Sequence, residues 1–430
     1  MEAIEVMKAK QTNYKQINHK KLRNTGMLLS ACLMVSTLLG CGKAETLGQT
    51  EKITLTYMVP SYGNSDYVGA EMIKKINAEY PDVEIQPVLY SEEQYYTVLK
   101  TRLATGKGPD LFFIQPDYAG FNGTANLAEA GYLAPVTEME SIQNTDSDSS
   151  VLLKYEDEVY GVSIGWMSLG ILYNKTIFKE NSIEVPTCWD EFLECCETLK
   201  KGGIWPLTIG GKNENTTQYG VYQIAANQIY PKDEEYNREL REGSRKFTDK
   251  GGWEKVLEMY AQLYEKDYLS LETMSLTFDE ARKKLVNREA AMFFSSNREA
   301  ENLVRYGGLD GDEYGYIPMP TNDRGEKTFW SIGETGGIGI YASSEHKELC
   351  MELLEKEFWP VYLNREPEAE DDFTRVIGDA YRAGDYYQLC NQGWRNEVEI
   401  VMEKKLMEYV LGGNLTIADI TRAMQRELER

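Results

Sequence analysis

The alternation of apolar and polar positions divides the chain into short strands and amphipathic helices. Lys52–Val59 (KITLTYMV) alternates at period two and reads as a strand. Val68, Met72, Ile73 and Ile76 then fall on one face of a helix over Asp66–Tyr80, which Pro81 and Asp82 stop. Val83–Leu89 reads as a second strand, and Glu92–Ala104 as a helix carrying Tyr95, Tyr96, Leu99 and Leu103. Leu111–Ile114 is a continuous apolar run, the pattern of a strand buried on both faces. The order β-α-β-α-β predicts a parallel sheet covered by helices.

The stretch Glu158–Lys175 organises the rest of the chain. It holds two apolar β runs, Val159–Ile164 and Leu169–Tyr173, separated by a turn at Gly165-Trp166-Met167-Ser168. With an α/β block on either side, it marks a crossing between two lobes. An indole at the mouth of two buried strands either meets a flat ligand or packs beneath a loop. Beyond it, helices are expected at Trp189–Lys201, Gln218–Ile229, Gly252–Lys266 and Thr277–Asn287, and strands at Pro206–Ile209, Ala290–Phe294, Tyr314–Met319 and Gly337–Tyr341. Trp330–Gly337 reads as a polar, glycine-rich loop, and the final third reads as helices. No fixed-period repeat is present.

Ligands of open α/β sheets bind beyond the carboxyl ends of the strands. The Pro60–Asn64 loop and Gln115-Pro116-Asp117-Tyr118 lie there. Asp117 is a carboxylate suited to accept hydrogen bonds from sugar hydroxyls, or else a helix N-cap.

Composition and charge narrow the function. The chain has 430 residues, 42% of them hydrophobic and 27% charged, which is globular usage with room for two or three domains. A formal charge of −23 argues against nucleic acid or an anionic membrane surface as the main partner. Tyrosine is abundant, at 29 residues, and serves equally well for hydroxyl-rich ligands and for amphipathic surface.

Basic residues from Lys8 to Arg23 precede a short apolar core, Met27–Leu39, too short for a relaxed membrane span. It ends in Leu38-Leu39-Gly40-Cys41, which resembles a bacterial lipobox, with Leu39 bulkier than usual at its position. Residues 1–40 are expected to be a lipoprotein signal peptide, with Cys41 as the lipidated residue and 41–51 as a tether. Translation from Met27 instead of Met1 is an alternative. Cys195 and Cys196 share a helix face with Phe192 and Leu199, which is core placement, and no cysteine spacing fits a metal.

Catalytic patterns are weak. Gly161-Val162-Ser163-Ile164-Gly165 fits G-x-S-x-G, but it lies in a predicted strand and turn, and His346 is the one histidine beyond the signal segment. No HExxH, paired CxxC or P-loop occurs, so neither a metal nor a cofactor is expected. A glycosidase needs only two carboxylates, whose spacing the sequence does not display.

Several segments resemble family 1 of the extracellular solute-binding proteins, which deliver sugars to ABC importers. They are INAEYPDVEIQPV (76–88), LKTRLATGKGPDLFFIQPD (99–117), LAEAGYLAPV (127–136), VYGVSIGWMSLGILYNKTIFKENSIEVPTCWDEFLECCETLK (159–200) and NREAAMFFSS (287–296). The resemblance implies a two-lobed α/β fold of the periplasmic-binding-protein type II, each lobe a mostly parallel sheet flanked by helices, with the ligand cleft between them. The lobes would comprise 52–162 with 312–365, and 163–311 with 366–430. Carried onto this chain, the family's cleft positions fall at Tyr62, Asn64, Asp117, Trp166, Ser296, Asn297, Trp330, Glu334, Trp394 and Arg395. Members often carry tryptophan in the loop after the AAMFF-like strand, where this chain has Ser295-Ser296-Asn297. Stacking would then fall to Trp166, Trp330 or Trp394.

The implied protein is a monomer without catalysis, tethered through Cys41 on the outer face of the membrane of a Gram-positive bacterium. It would capture a carbohydrate, expected to be an oligosaccharide, and pass it to an ABC permease by lobe closure. A carrier of a non-sugar solute, an exported carbohydrate-active enzyme and a ligand-presenting sensor are the alternatives.

Overall fold

The first three strands form as their patterning requires. β1 (Ile53–Ser61) pairs in parallel with β2 (Val83–Ser91) from Ile53↔Val83 to Ser61↔Ser91, and with β3 (Leu111–Ile114) at Tyr57↔Leu111. Helices α1 (Ala70–Glu79) and α2 (Glu92–Ala104) make the crossovers. They bury Ile73, Ile76, Tyr95, Leu99 and Leu103 against the sheet. The computed structural model describes residues 52–61, 69–116, 120–147, 149, 151–212, 214–297, 303, 311–363, 372–388, 394 and 396–430. The expected signal segment and tether, Cys41 included, lie outside these residues.

A short hairpin, β4 (Leu152–Tyr155) and β5 (Glu158–Val162), brings the chain out of the first sheet. β6 (Trp166–Asn174) enters the second, and Trp166 is its first residue instead of part of a turn. Helices α3 (Trp189–Lys201), α4 (Gln218–Gln228), α5 (Trp253–Glu265) and α6 (Phe278–Val286) follow, with β7 (Trp205–Thr208) after the first of them. Then come β8 (Ala290–Ser296), β9 (Tyr314–Ile317), β10 (Trp330–Glu334) and β11 (Gly337–Ile340). The C-terminal part contributes α7 (Lys347–Leu353), α8 (Trp359–Leu363), α9 (Asp372–Ala383), β12 (Tyr386–Gln388), α10 (Asn396–Val410) and α11 (Ile417–Leu428).

The first sheet runs β11-β3-β1-β2, with β11 antiparallel and the rest parallel. The second runs β12-β10-β6-β8-β7, with β9 also on β6. It is mixed, not mostly parallel as expected. β6 lies antiparallel to β8, β9 and β10, while β7–β8 and β10–β12 are parallel. Two further expectations are corrected by the ladders. Residues 330–334 are a strand, because their backbone pairs with β6 from Ser331↔Leu169 to Glu334↔Trp166. The same ladder, with that of β9, puts residues 314–317 and 330–334 in the second sheet; of the strands assigned to lobe 1 from 312 onward, only β11 joins the first.

The second sheet is buried on both faces, which explains its near-continuous apolar strands. Leu169, Ile171, Met292 and Phe294 face α3, α4, α5, α10 and α11, while Leu172, Phe293 and Ile332 face α6 and α9. Cys195 and Cys196 sit in the first of these cores as expected. Burial pushes the Cys195 thiol up to about 12, so it stays protonated and inert. Cys350 of α7 is likewise buried in the first sheet's core, its thiol also raised to about 12.

The two sheets join where two chain passes lie side by side. Ile164 N–H donates to Gly336 O at 2.8 Å and Thr335 N–H to Gly165 O at 2.9 Å, and Ser163 bridges Gly337. The packing leaves no space for side chains at the two glycines of the second pass. Gly336 has φ 153°, and a Cβ there would lie 2.3 Å from the Phe113 ring; at Gly337 it would lie 2.5 Å from Leu153 Cδ1. Gly336→Ala should therefore lower unfolding stability by roughly 1–3 kcal/mol, read from urea denaturation.

Glu357 ties the C-terminal part back to α1. It accepts from Lys75 Nζ at 2.7 Å and Tyr80 Oη at 2.6 Å, and these bonds hold its carboxyl below the usual range. A depressed carboxylate stabilises the fold above its unfolded value, ~4.3, and loses that contribution as pH falls through the folded value. Glu357→Gln should thus unfold at lower urea than the parent at pH 7, with the gap closing as pH falls below the usual carboxylate range.

Candidate functional site

A pocket of about 50 Å³ opens beside the junction of the two sheets. Its walls come from both sides. Val151 and Tyr362 pack with the first sheet's core, whereas Trp166 and Tyr381 pack with the second. Ser163 and Gly165 belong to the first joining pass, and Glu334 directly precedes the second.

Each side chain is placed by its element. Trp166 begins β6 directly opposite Glu334, the last residue of β10, and is half-buried. Tyr381 lies in the last turn of α9 and stacks on Tyr386 of β12, with centroids 5.1 Å apart and planes 14° from parallel. Burial pushes the Tyr386 phenol up to about 12, with Tyr381 and the Glu334 carboxylate adding to the effect, so it remains neutral. Tyr362 projects from α8. The Glu334 carboxylate accepts a hydrogen bond from the Ser163 hydroxyl, which also lies 2.9 Å from Gly165 O.

This combination has a definite chemistry. Aromatic faces present apolar surface to the C–H face of a ring, and a carboxylate takes hydroxyl donors. No lysine or arginine occurs among the described lining residues. Among the described residues, no group of three or more His, Cys, Asp or Glu side chains is placed to hold a metal ion.

Of the expected binding residues, Trp166 and Glu334 come together here. Tyr62, Asn64, Asp117 and Arg395 lie outside the described residues. Trp330 is corrected to a core residue: it is 4% exposed and packs on Tyr316 at 5.1 Å, because alternation along β10 turns it toward α6 and α9. Trp394 is corrected in the same way. It is 1% exposed, wedged edge-on against Trp253 at 4.8 Å and Phe247 at 5.0 Å. Ser296 and Asn297 are buried at the end of β8, where Asn297 Oδ1 accepts from Ser168 N–H at 3.0 Å and fixes the start of β6.

Five lining residues were not among the expected contacts: Val151, Ser163, Gly165, Tyr362 and Tyr381. Ser163 was visible only as the centre of a G-x-S-x-G pattern. Its hydroxyl meets a carboxylate and a carbonyl, not an imidazole.

The family model for bacterial extracellular solute-binding proteins matches residues 62–356. The chain belongs to this family. Among curated relatives of this solute-binding protein is the multiple sugar-binding protein of Streptococcus mutans, 28% identical over 223 residues, or 52% of this chain and 51% of that one. The chain thus spans about half the length of the curated relatives it matches. Two solved structures share the fold. A chitin oligosaccharide binding protein has a TM-score of 0.74 and 20% identity, covering 88% of this chain and 98% of its own. The solute-binding protein RafE in complex with raffinose has a TM-score of 0.69 and 17% identity, covering 88% and 99%. No helix among the described residues of the solute-binding protein is long and apolar enough to cross a membrane.

The burial difference among the tryptophans is testable in the protein alone. Trp394→Ala should cost ~3–5 kcal/mol of stability, the range for a buried tryptophan, and Trp330→Ala a comparable amount. Trp166→Ala should cost distinctly less, all three being compared by equilibrium denaturation.

Proposed function

We propose that the chain is a lipid-anchored capture protein for an extracellular carbohydrate, an oligosaccharide, which it delivers to an ABC importer. One observation carries the reading: Trp166, Tyr362, Tyr381 and Glu334 converge from both sheets on a single pocket without a described cation. Family membership and the sugar-binding relative support it. The acyl group would sit on Cys41, the protein acting as a monomer outside the membrane of a Gram-positive cell.

The lobes we assign are 52–162 with β11 and residues 341–365, and 163–335 with 366–430. Tyr62, Asn64, Asp117 and Arg395 remain proposed contacts. The cavity is far smaller than the ~300–1,000 Å³ usual for small-molecule sites, so a sugar enters as the walls part and is held with them farther apart than they stand here. The mechanism is binding. Glycoside hydrolysis takes two flanking carboxylates, and the described lining offers Glu334 alone.

The test is calorimetry of the full chain against raffinose, stachyose, chitin oligosaccharides, xylo-oligosaccharides and maltodextrins, with amino acids and sugar phosphates alongside. Saturable binding of a neutral sugar without turnover is the expected result. For that sugar, Trp166→Ala should weaken affinity at least tenfold, about 1.4 kcal/mol. Binding confined to phosphorylated or amino-acid ligands, or release of cleaved sugar, would replace this reading.

A further inference from the structure

The first residues of β6 are held differently on their two edges. On one edge β10 pairs with them, from Ser331↔Leu169 to Glu334↔Trp166. On the other edge the ladder with β8 stops at Leu169↔Ser296, one residue short of Ser168. Side chains meet both main-chain groups of Ser168. Its N–H donates to Asn297 Oδ1 at 3.0 Å, and its carbonyl accepts from Tyr316 Oη at 3.1 Å. Tyr316 belongs to β9 and lies opposite Leu172 of β6. Its ring passes over Gly170, where a Cβ would lie 2.5 Å from Tyr316 Cζ. Residues 172, 170 and 168 share one face of the strand, so the hydroxyl arrives at Ser168. Ser168, Asn297 and Tyr316 are all buried, and a donor or acceptor left unmet there is costly.

We propose that Asn297 and Tyr316 are positioning residues: by completing the bonding of Ser168 they hold the start of β6 extended and keep the Trp166 indole in the pocket wall. The consequence for affinity rests on the carbohydrate reading of this pocket. A strand end bonded along one edge opens more readily than one bonded along both. Trp166 stands two residues from the clamp, on the same face as Ser168, so the setting of Ser168 carries over to it. An indole held in place before binding loses less freedom when a ring stacks on it. Neither Asn297 nor Tyr316 is among the described lining residues.

The deciding experiment is fluorine NMR of the full chain labelled with fluorotryptophan, in wild type, Tyr316→Phe and Asn297→Leu. Trp166→Phe and Trp394→Phe assign the two resonances needed. Both variants should shift or broaden the Trp166 resonance and leave Trp394, which packs in the opposite core, in place. Tyr316→Phe keeps the ring that packs on Trp330 and removes only the hydroxyl, so the test survives if Asn297→Leu impairs folding. Calorimetry with raffinose, stachyose and chitin oligosaccharides is the second arm. For a sugar that binds wild type, each variant should weaken affinity roughly three- to tenfold, the scale of one hydrogen bond. In a Trp166→Ala background the same changes should lose most of that effect. An unmoved Trp166 resonance in both variants would overturn the proposal. So would an equal loss of affinity with and without Trp166, which would mark a general structural role. Wild-type silence toward every sugar would bring down the carbohydrate reading alone, because the fluorine spectra decide by themselves whether the clamp holds Trp166.

Discussion

The structure depends on the close passage of two chain segments, Ser163–Gly165 and Thr335–Gly337, between the sheets. Their backbones hydrogen-bond to each other, and the Phe113 ring and Leu153 press so near that a Cβ at Gly336 or Gly337 would overlap them. That closeness has two consequences. It fixes where one sheet ends and the other begins, since β5 and β11 lie on one side and β6 and β10 on the other. It also brings the last residue of β10 and the first of β6 face to face, so that Glu334 and Trp166 meet at the junction.

Much of this was legible in the chain, for reasons that differ by element. α2 and α3 fall on their expected boundaries because each carries an apolar stripe at helical spacing, and that stripe is what the sheets bury. The first three strands follow from alternation, from the continuous apolar run of the third, and from their order with two helices. β10 was not legible. Trp330-Ser331-Ile332-Gly333-Glu334 has loop composition, and it is a strand because β6, far away in sequence, offers it a ladder. The division at 312 failed for the same reason: ladders between distant segments set sheet membership, and neighbouring residues do not reveal them.

The site divides along the same line. Trp166 and Glu334 were identifiable because glycines and small polar residues surround them locally. Trp330 and Trp394 have similar neighbours, yet they are core, since their fate is settled by Tyr316 in one case and by Phe247 and Trp253 in the other. Tyr381 was missed for the converse reason. On an amphipathic helix its ring looks like one more packing residue, and its stack on Tyr386 and its place in the pocket wall are tertiary contacts that the local sequence does not display.

Electrostatics connects the local site to the whole chain. A neutral hydroxyl donating to Glu334 brings no charge with it and gains a charge-assisted bond. An anionic group at the same place would set two negative charges about 4 Å apart, costing ~4 kcal/mol at an effective dielectric of 20. A single hydrogen bond of ~1 kcal/mol does not offset that. The rest of the molecule adds to the penalty, because its formal charge is −23. The carboxylate in the pocket and the field around it therefore discriminate in one direction. Both disfavour anionic ligands, and the flanking aromatic rings leave the selection among the rest to shape.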